Sequence, residues 1–438
     1  MKSRVCIVGD IVTDISLPQD GNEIKIRLGG ITHSARGLWA INTVYDVKFF
    51  APLYLSKSIF EYYNHHGVNE ISQIGVVNGA PYSFLIGSVK ETGNQQYDFI
   101  LRDQISIEYN TENLKSLEGH KEVLITSGNF DLGLAIKEIS NDSNVHIDLS
   151  NNISEFTQLD GYYYKTIFLS TSSDLFLDNF KDSFDQFCSL FEKVCETLVL
   201  KENRGGSRIY NFKNKKTYQI PSITQPIVHS VGVGDVYNAC YVAHYQELGI
   251  EKAAFLASWI ACEYASTTFP DDFKTNVLRV LNTKMEDIIS MGGCVLPWEK
   301  RKLYPIYIAS PDFDYLDSTQ IDLLVESLEY HNFYPRRPVK ENGQLSFEST
   351  KMDRTKAYTK DIQLIKECKL LIVVYINDDP GTMIELGFAK ALGIPCLVFD
   401  PFNKAYNCIL TEIPKNISSD LDVIISDVFN ELSKLNEQ

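Results

Sequence analysis

An unbroken apolar run, Leu370-Leu-Ile-Val-Val-Tyr-Ile376, leads into Asn377-Asp-Asp-Pro-Gly-Thr-Met-Ile-Glu-Leu-Gly-Phe-Ala-Lys-Ala-Leu-Gly-Ile-Pro395, and a second run, Cys396-Leu-Val-Phe399, follows. Such runs, bounded by turn residues, read as strands buried on both faces, as in a parallel sheet covered by helices. An acidic turn therefore opens a helix at the end of a parallel strand, where ligands bind in open α/β sheets. Glu385 lies about one turn into that helix, where the macrodipole favours a charged carboxylate. A nucleophile that attacks carbon needs that ionised form. An ordinary helix start explains the acids, but not the whole Gly381-Thr-Met-Ile-Glu-Leu-Gly-Phe-Ala389 pattern.

The 438 residues allow two or three domains. The net charge of −16 and the lack of a basic block speak against duplex nucleic acid as a partner. No apolar run reaches the length of a membrane span. Met1-Lys-Ser-Arg4 runs straight into the strand Val5-Cys-Ile-Val8 without an apolar leader. Nine cysteines stand singly, which fits reduced thiols and a cytoplasmic location. The histidines form no metal-ligand spacing, and the side chains of His65 and His66 are expected to diverge.

Val123-Leu-Ile-Thr126, Val145-His-Ile-Asp148, Ile167-Phe-Leu169 and Leu198-Val-Leu200 alternate with amphipathic segments, as parallel strands with crossover helices do. Tyr97-Asp-Phe-Ile-Leu101 and Ile105-Ser-Ile-Glu-Tyr109 alternate in polarity and read as antiparallel strands of a lid or flap. Helices are expected from about Asp235 to Leu248 and from Lys252 to Thr267. The Gly-, Pro- and charge-rich stretch Met291–Lys302 reads as a boundary. This gives an N-terminal domain over 1–296, a linker over 297–303 and a C-terminal domain over 304–438.

In the first domain, His229-Ser-Val-Gly-Val-Gly-Asp-Val-Tyr-Asn-Ala239 places Gly232, Val233 and Gly234 at a helix start, where free N–H groups hold an anion. Asp235 beside them suits a base for an acceptor hydroxyl. Val8-Gly-Asp-Ile-Val-Thr-Asp14 ends the first strand with Asp10 and Asp14, and Gly29-Gly30 precede a helix carrying His33. Together these motifs resemble the ribokinase (PfkB) family of sugar and nucleoside kinases over roughly residues 1–295. The resemblance implies a three-layer α/β/α fold with a small β lid. It makes Asp235 the catalytic base and Gly232–Gly234 the anion hole for ATP phosphate. It makes Asp14, Gly29, Gly30 and the His33 position the sugar site, with ATP and Mg2+ as cofactors. The chain departs from the family at His33 and Val12, each in place of Asn, and at His229-Ser230 in place of Asp-Thr. Thr171-x-x-Asp174 replaces Asn-x-x-Glu, and Lys201-Glu-Asn-Arg-Gly-Gly-Ser207 lacks Thr-x-Gly.

In the second domain, Tyr304-Pro-Ile-Tyr-Ile-Ala-Ser-Pro-Asp-Phe313 is a first strand and turn, and a helix follows from Ser318 to His331. Asp361 is expected near the start of a helix over Tyr358–Cys368. With the Glu385 motif, this resembles the nucleoside 2-deoxyribosyltransferase family and its nucleotide-hydrolase relatives over about 304–415. The resemblance implies a flavodoxin- or Rossmann-like parallel sheet and a domain that needs no cofactor. Glu385 becomes the nucleophile at the anomeric carbon and Tyr307 its orienting partner. Asp361 and Asp379 become nucleoside ligands, and Asn407 completes a neighbouring subunit's site, so the chain is expected to be a homo-oligomer. Ser310 and the N–H groups around Gly381 suit a 5′-phosphate.

The expected function is a bifunctional enzyme of nucleoside or nucleotide metabolism. Its substrate is a nucleoside, nucleotide or pentose, with no duplex nucleic acid and no membrane involved. The alternative is a kinase-like ligand sensor that gates a nucleotide-depleting glycosidase. A scaffold of two inactive folds is a third reading.

Overall fold

The computed structural model describes residues 4–17, 24–79, 82–93, 97–99, 104–149, 152–346 and 348–436. The chain divides into two compact units, residues 1–90 with 95–293 and residues 91–94 with 294–438.

The N-terminal unit is built on a ten-stranded sheet. Its centre is seven parallel strands: Cys195–Lys201, Tyr164–Ser170, Asn144–Asp148, Glu122–Thr126, Val5–Asp10, Tyr45–Ala51 and Glu70–Asn78, in that spatial order. Val5–Val8 are fully buried, as expected where helices cover both faces. The antiparallel strands Ser207–Asn211 and Lys216–Ile220 extend one edge. A separate four-stranded sheet joins Lys25–Leu28, Thr13–Ser16, Ser83–Ile86 and Tyr97–Phe99. This is the α/β/α arrangement with a β lid that the motifs implied.

Two details differ from expectation. Asp14 is not at the end of the first strand but on the lid strand Thr13–Ser16. Only the Tyr97 run joins the lid. Ser106–Tyr109 pairs antiparallel with Glu70–Asn78 at the edge of the main sheet. Alternating polarity marks a half-exposed strand but does not say which sheet it joins. Ile100 and Leu101 lie outside the described residues.

Helices Val233–Leu248 and Ile250–Ala265 are joined directly through Gly249, at φ 78°. Both pack into the main core with helix Thr32–Ala40. A side chain on Gly37 would meet Val236 at 3.3 Å, so the glycine permits this close helix crossing. His65 and His66 do not diverge: their rings meet edge to face at 5.3 Å. His66 leaves the helical path at the C-cap and stacks on Tyr62. No cluster of three metal-ligating side chains occurs among the described residues.

The C-terminal unit is a five-stranded, all-parallel sheet. Its spatial order is Tyr334–Arg336, Pro305–Ala309, Leu370–Val374, Cys396–Phe399, Asn416–Ser418. In chain order this is 2-1-3-4-5, the flavodoxin-like winding, whose switch point lies between the first and third strands. Alternate residues feed two cores. Ile306, Ile308 and Ile372 face helices Thr319–Tyr330 and Leu421–Asn436. Tyr307, Ala309, Leu371 and Val373 face Lys351–Glu367 and Pro380–Ala391. Tyr307 is thereby pointed at the helix that carries Glu385.

Residues 297–303, expected as a linker, are folded. Trp298–Arg301 is a helical turn, and Arg301 is fully buried. Its guanidinium donates to the Leu296 and His331 carbonyls at 3.1 Å each and lies 4.8 Å from the Phe429 ring centre. Asp361 is not at a helix start, because the helix begins at Lys351. Thr350 and Asp353 form a reciprocal capping box there. No helix among the described residues is long and apolar enough to cross a membrane.

Candidate active sites

In the C-terminal unit, Asp379 caps helix Pro380–Ala391, accepting from the Thr382 amide at 2.7 Å and the Thr382 hydroxyl at 2.8 Å. That cap fixes the helix start and sets Glu385 under the switch point. The Tyr307 hydroxyl donates to Glu385 Oε1 at 2.7 Å. Asp361 comes from the neighbouring helix, its Oδ1 held by Asn342 Nδ2 at 2.7 Å. Three carboxylates and a phenol therefore converge.

Burial pushes the Glu385 carboxyl up to about 7, with the Tyr307 hydrogen bond opposing and the Asp361 and Asp379 charges adding to the rise. Desolvation thus outweighs the helix dipole, which was expected to keep this group charged. Burial also raises Asp361, against the Asn342 hydrogen bond. Of the Asp379 carboxylate, only Oδ1 is left clear of the cap. Asn407 is exposed and caps its own short helix through the Ile409 amide at 2.9 Å. Ser310 is buried at the end of the first strand.

In the N-terminal unit, Gly232 is the N-cap of a sixteen-residue helix and adopts φ 76°, so Val233, Gly234 and Asp235 form its first turn. The Lys201 ammonium lies 3.1 Å from where a Cβ on Gly234 would stand. Lys201 donates to Asp148 Oδ2 at 2.8 Å, and Asn238 donates to the same oxygen. N–H donors and a fixed cation are a fitting set for a phosphate oxyanion. No preformed magnesium cluster accompanies them among the described residues. Asp174 lies in the first turn of a short helix, and Thr171 bonds Asn203. Burial and the Asp148 charge raise Asp235 to about 7, while Lys201 opposes them.

The expected sugar site is gathered around His33. Its Nε2 donates to Asp14 Oδ2 at 2.9 Å, and its Nδ1 accepts from the Tyr264 hydroxyl at 2.7 Å. The ring is neutral, because burial lowers its pKa to about 4. Gly29 and Gly232 lack side chains because the protein's own atoms fill those positions. A Cβ on Gly29 would stand 2.1 Å from Asp14 Oδ1, and one on Gly232 would stand 2.1 Å from the His33 ring. Gly30, at φ 59°, packs in the same way on the Asp10 carbonyl. Asp10 accepts from the Asn129 amide at 2.8 Å, and burial raises it to about 6. His229, also lowered by burial, bonds the Thr267 carbonyl at 3.0 Å.

Sequence reasoning missed Lys201, Asp148 and Asn342. The available signal was a charged residue closing an apolar strand, which both Lys201 and Asp148 do. Asn342 precedes a loop and had no pattern to reveal it.

Residues 306–423 match the family model of nucleoside 2-deoxyribosyltransferase. No curated protein matches the chain in sequence. Among solved structures, Arabidopsis thaliana ribokinase complexed with ribose and ATP is similar at 15% identity and a TM-score of 0.49, over 65% of this chain and 100% of that one. Giardia lamblia ribokinase is similar at 13% identity and 0.47, over 66% and 98%. The Methanocaldococcus jannaschii nucleoside kinase is similar at 16% and 0.43, over 66% and 99%. The fold of the N-terminal unit is carried by its own strand order and lid. The chain thus joins an N-terminal α/β/α unit with a β lid to a C-terminal parallel-sheet unit whose residues 306–423 match the nucleoside 2-deoxyribosyltransferase model.

Proposed function

We propose that the protein is an enzyme of nucleoside and nucleotide metabolism. Its C-terminal unit breaks or exchanges N-glycosidic bonds through Glu385. Its N-terminal unit transfers a phosphoryl group to a sugar or nucleoside hydroxyl. The observation that carries this reading is the 2.7 Å hydrogen bond from Tyr307 to Glu385 Oε1 at the switch point of the parallel sheet.

Tyr307 holds one carboxylate oxygen and leaves the other to attack the anomeric carbon. The C–N bond breaks through an oxocarbenium-like transition state, and its electron pair leaves with the base. Asp379 is assigned to the base side, where its second oxygen can relay a proton from water to the leaving group. Water or a second base then attacks the glycosyl ester and restores Glu385. This reading includes a homo-oligomer with Asn407 at a neighbour's site.

In the N-terminal unit, Asp235 accepts the proton of the acceptor hydroxyl, whose oxygen attacks phosphorus. The Gly232–Gly234 turn and Lys201 hold the developing negative charge. ATP, when bound, supplies the phosphoryl group. The sensor reading draws support from Asp14, which is 4% exposed beneath its own partners.

The C-terminal reading is tested by free-base release from 2′-deoxynucleosides and their 5′-monophosphates, measured by mass spectrometry. Tyr307→Phe is expected to slow release about tenfold. Because the Tyr307 hydrogen bond lowers the Glu385 pKa and the ionised form reacts, its loss moves the acid limb of the rate profile to higher pH. Equal profiles for the two proteins would contradict the assigned pairing.

A further inference from the structure

His33 and His229, two of the departures from the kinase motifs, converge on one phenol. The Tyr264 ring meets His33 edge to face at 6.0 Å and His229 at 5.1 Å, and it packs on Phe273 at 5.0 Å. The direction of the hydrogen bonds in this cluster is set from one end. Arg36, 8% exposed, can only donate. Its Nε and Nη2 are anchored on the Tyr62 hydroxyl at 2.7 Å and the Leu28 carbonyl at 3.2 Å, and its Nη1 donates to the Tyr264 oxygen at 3.1 Å.

The Tyr264 hydrogen must then point away from Arg36, and the acceptor in reach is His33 Nδ1 at 2.7 Å. Arg36 Nη1 also lies 3.4 Å from that nitrogen, so a hydrogen on Nδ1 would meet a second donor. The ring therefore carries its hydrogen on Nε2 and gives it to Asp14 Oδ2 at 2.9 Å. The reverse tautomer would leave the Tyr264 hydrogen without an acceptor and would need a protonated Asp14. Burial is the main cause that keeps His33 neutral, with the Arg27 and Arg36 charges adding to it and Asp14 opposing.

The relay ends on an unclaimed oxygen. Asp14 is 4% exposed, and its Oδ2 is taken by His33, with Arg27 Nε 3.9 Å away. Its Oδ1 accepts from none of the described residues. The Asp14 charge also reaches Asp235, the proposed base, where it adds to the rise caused by burial and Asp148. A carboxylate with one oxygen held and the other open takes one hydroxyl hydrogen in a fixed direction. For stability alone, apolar side chains of the same shape would serve as well as this buried chain of donors and acceptors.

We infer that Arg36 and Tyr264 are positioning residues of the acceptor site: acting through His33, they hold Asp14 so that its Oδ1 accepts a hydroxyl hydrogen of the ligand. The inference rests on reading this unit as a binder of a sugar or nucleoside, and it applies equally to phosphorylation and to sensing.

Nitrogen-15 NMR of the full-length protein labelled at histidine reads the relay without a ligand. The eight histidines allow His33 to be assigned by its loss in His33→Asn. At pH 8, where Asp235 is ionised and His33 neutral, the parent should show a protonated Nε2 and an unprotonated Nδ1. In Arg36→Gln the new amide accepts as well as donates, so the single tautomer should be lost. Arg36→Lys, again able only to donate, should restore it. Tyr264→Phe should keep the tautomer and move the Nδ1 signal alone, because that nitrogen loses its donor. Calorimetry and initial rates with ribose and adenosine read the consequence. Arg36→Gln should weaken binding by up to about tenfold, the worth of one hydrogen bond, with the loss falling on KM more than on kcat. Arg36→Lys should recover most of it. A parent protonated at Nδ1, an Arg36→Gln variant with the parent's tautomer and affinity, or equal losses in Arg36→Gln and Arg36→Lys would overturn the inference. If neither ribose nor adenosine binds the parent, the kinase reading falls, and the tautomer measurement still decides the relay.

Discussion

Glu385→Gln is expected to lower base release by about 10³–10⁵-fold, as loss of a covalent nucleophile does, and to make the C-terminal unit more stable at pH 8. The second effect follows from the direction of the pKa shift. Burial raises the folded-state pKa from 4.5 to about 7. Between those values the folded protein holds a proton that the unfolded chain has released, so stability falls as pH rises. Above about 7 the penalty is complete. Glutamine keeps the acceptor for Tyr307 and carries no charge to desolvate. The variant should therefore gain about 1–3 kcal/mol at pH 8 and very little at pH 5. Scanning calorimetry at the two pH values checks this. A gain that is equal at both would mean that packing, and not the buried charge, is responsible.

Asp235→Asn should reduce phosphoryl transfer by about 10²–10⁴-fold, the usual contribution of a general base, and leave base release unchanged. Asp235 is held near 7 by burial and by Asp148, with Lys201 opposing. As the reacting form is ionised, transfer by the parent protein should fall as pH drops below about 7. Coupled assay of ADP formation reads both effects. A pH-independent rate, or an asparagine variant as fast as the parent, would remove Asp235 from the mechanism.

Much of this arrangement was legible because buried parallel strands carry a strong signal. The run at 370–376 fixed a central strand, and the helix after it could lie nowhere but at the strand's carboxyl end. The Gly-x-Gly-Asp helix start was equally readable, since positive φ at Gly232 demands that residue type. Features set by tertiary context were not readable. The start of the helix over Lys351–Glu367 was not readable, because its first two turns are exposed and carry no apolar period. The capping residues Thr350 and Asp353 were its only local sign. Arg301 reads as a surface charge in a linker, yet carbonyls and aromatic rings distant in sequence bury it. The rise of the Glu385 pKa was hidden for a related reason. The dipole is visible in a helix sequence, whereas the desolvation that outweighs it depends on neighbours brought together by folding. The diglycine carried the same ambiguity. A glycine shows that a side chain is excluded, but not whether a ligand or the protein's own Asp14 fills the space.

The account turns on a covalent bond between Glu385 and a sugar. Intact-mass spectrometry of the protein, acid-quenched within its first turnover of a 2′-deoxynucleoside or its 5′-monophosphate, tests that bond directly. The predicted result is a mass increase of one deoxyribosyl unit, phosphorylated if the monophosphate is used. Peptide mapping should place it on the segment containing Glu385, and it should be absent from Glu385→Gln. Base release at full rate with no adduct, or an adduct on another residue, would contradict it.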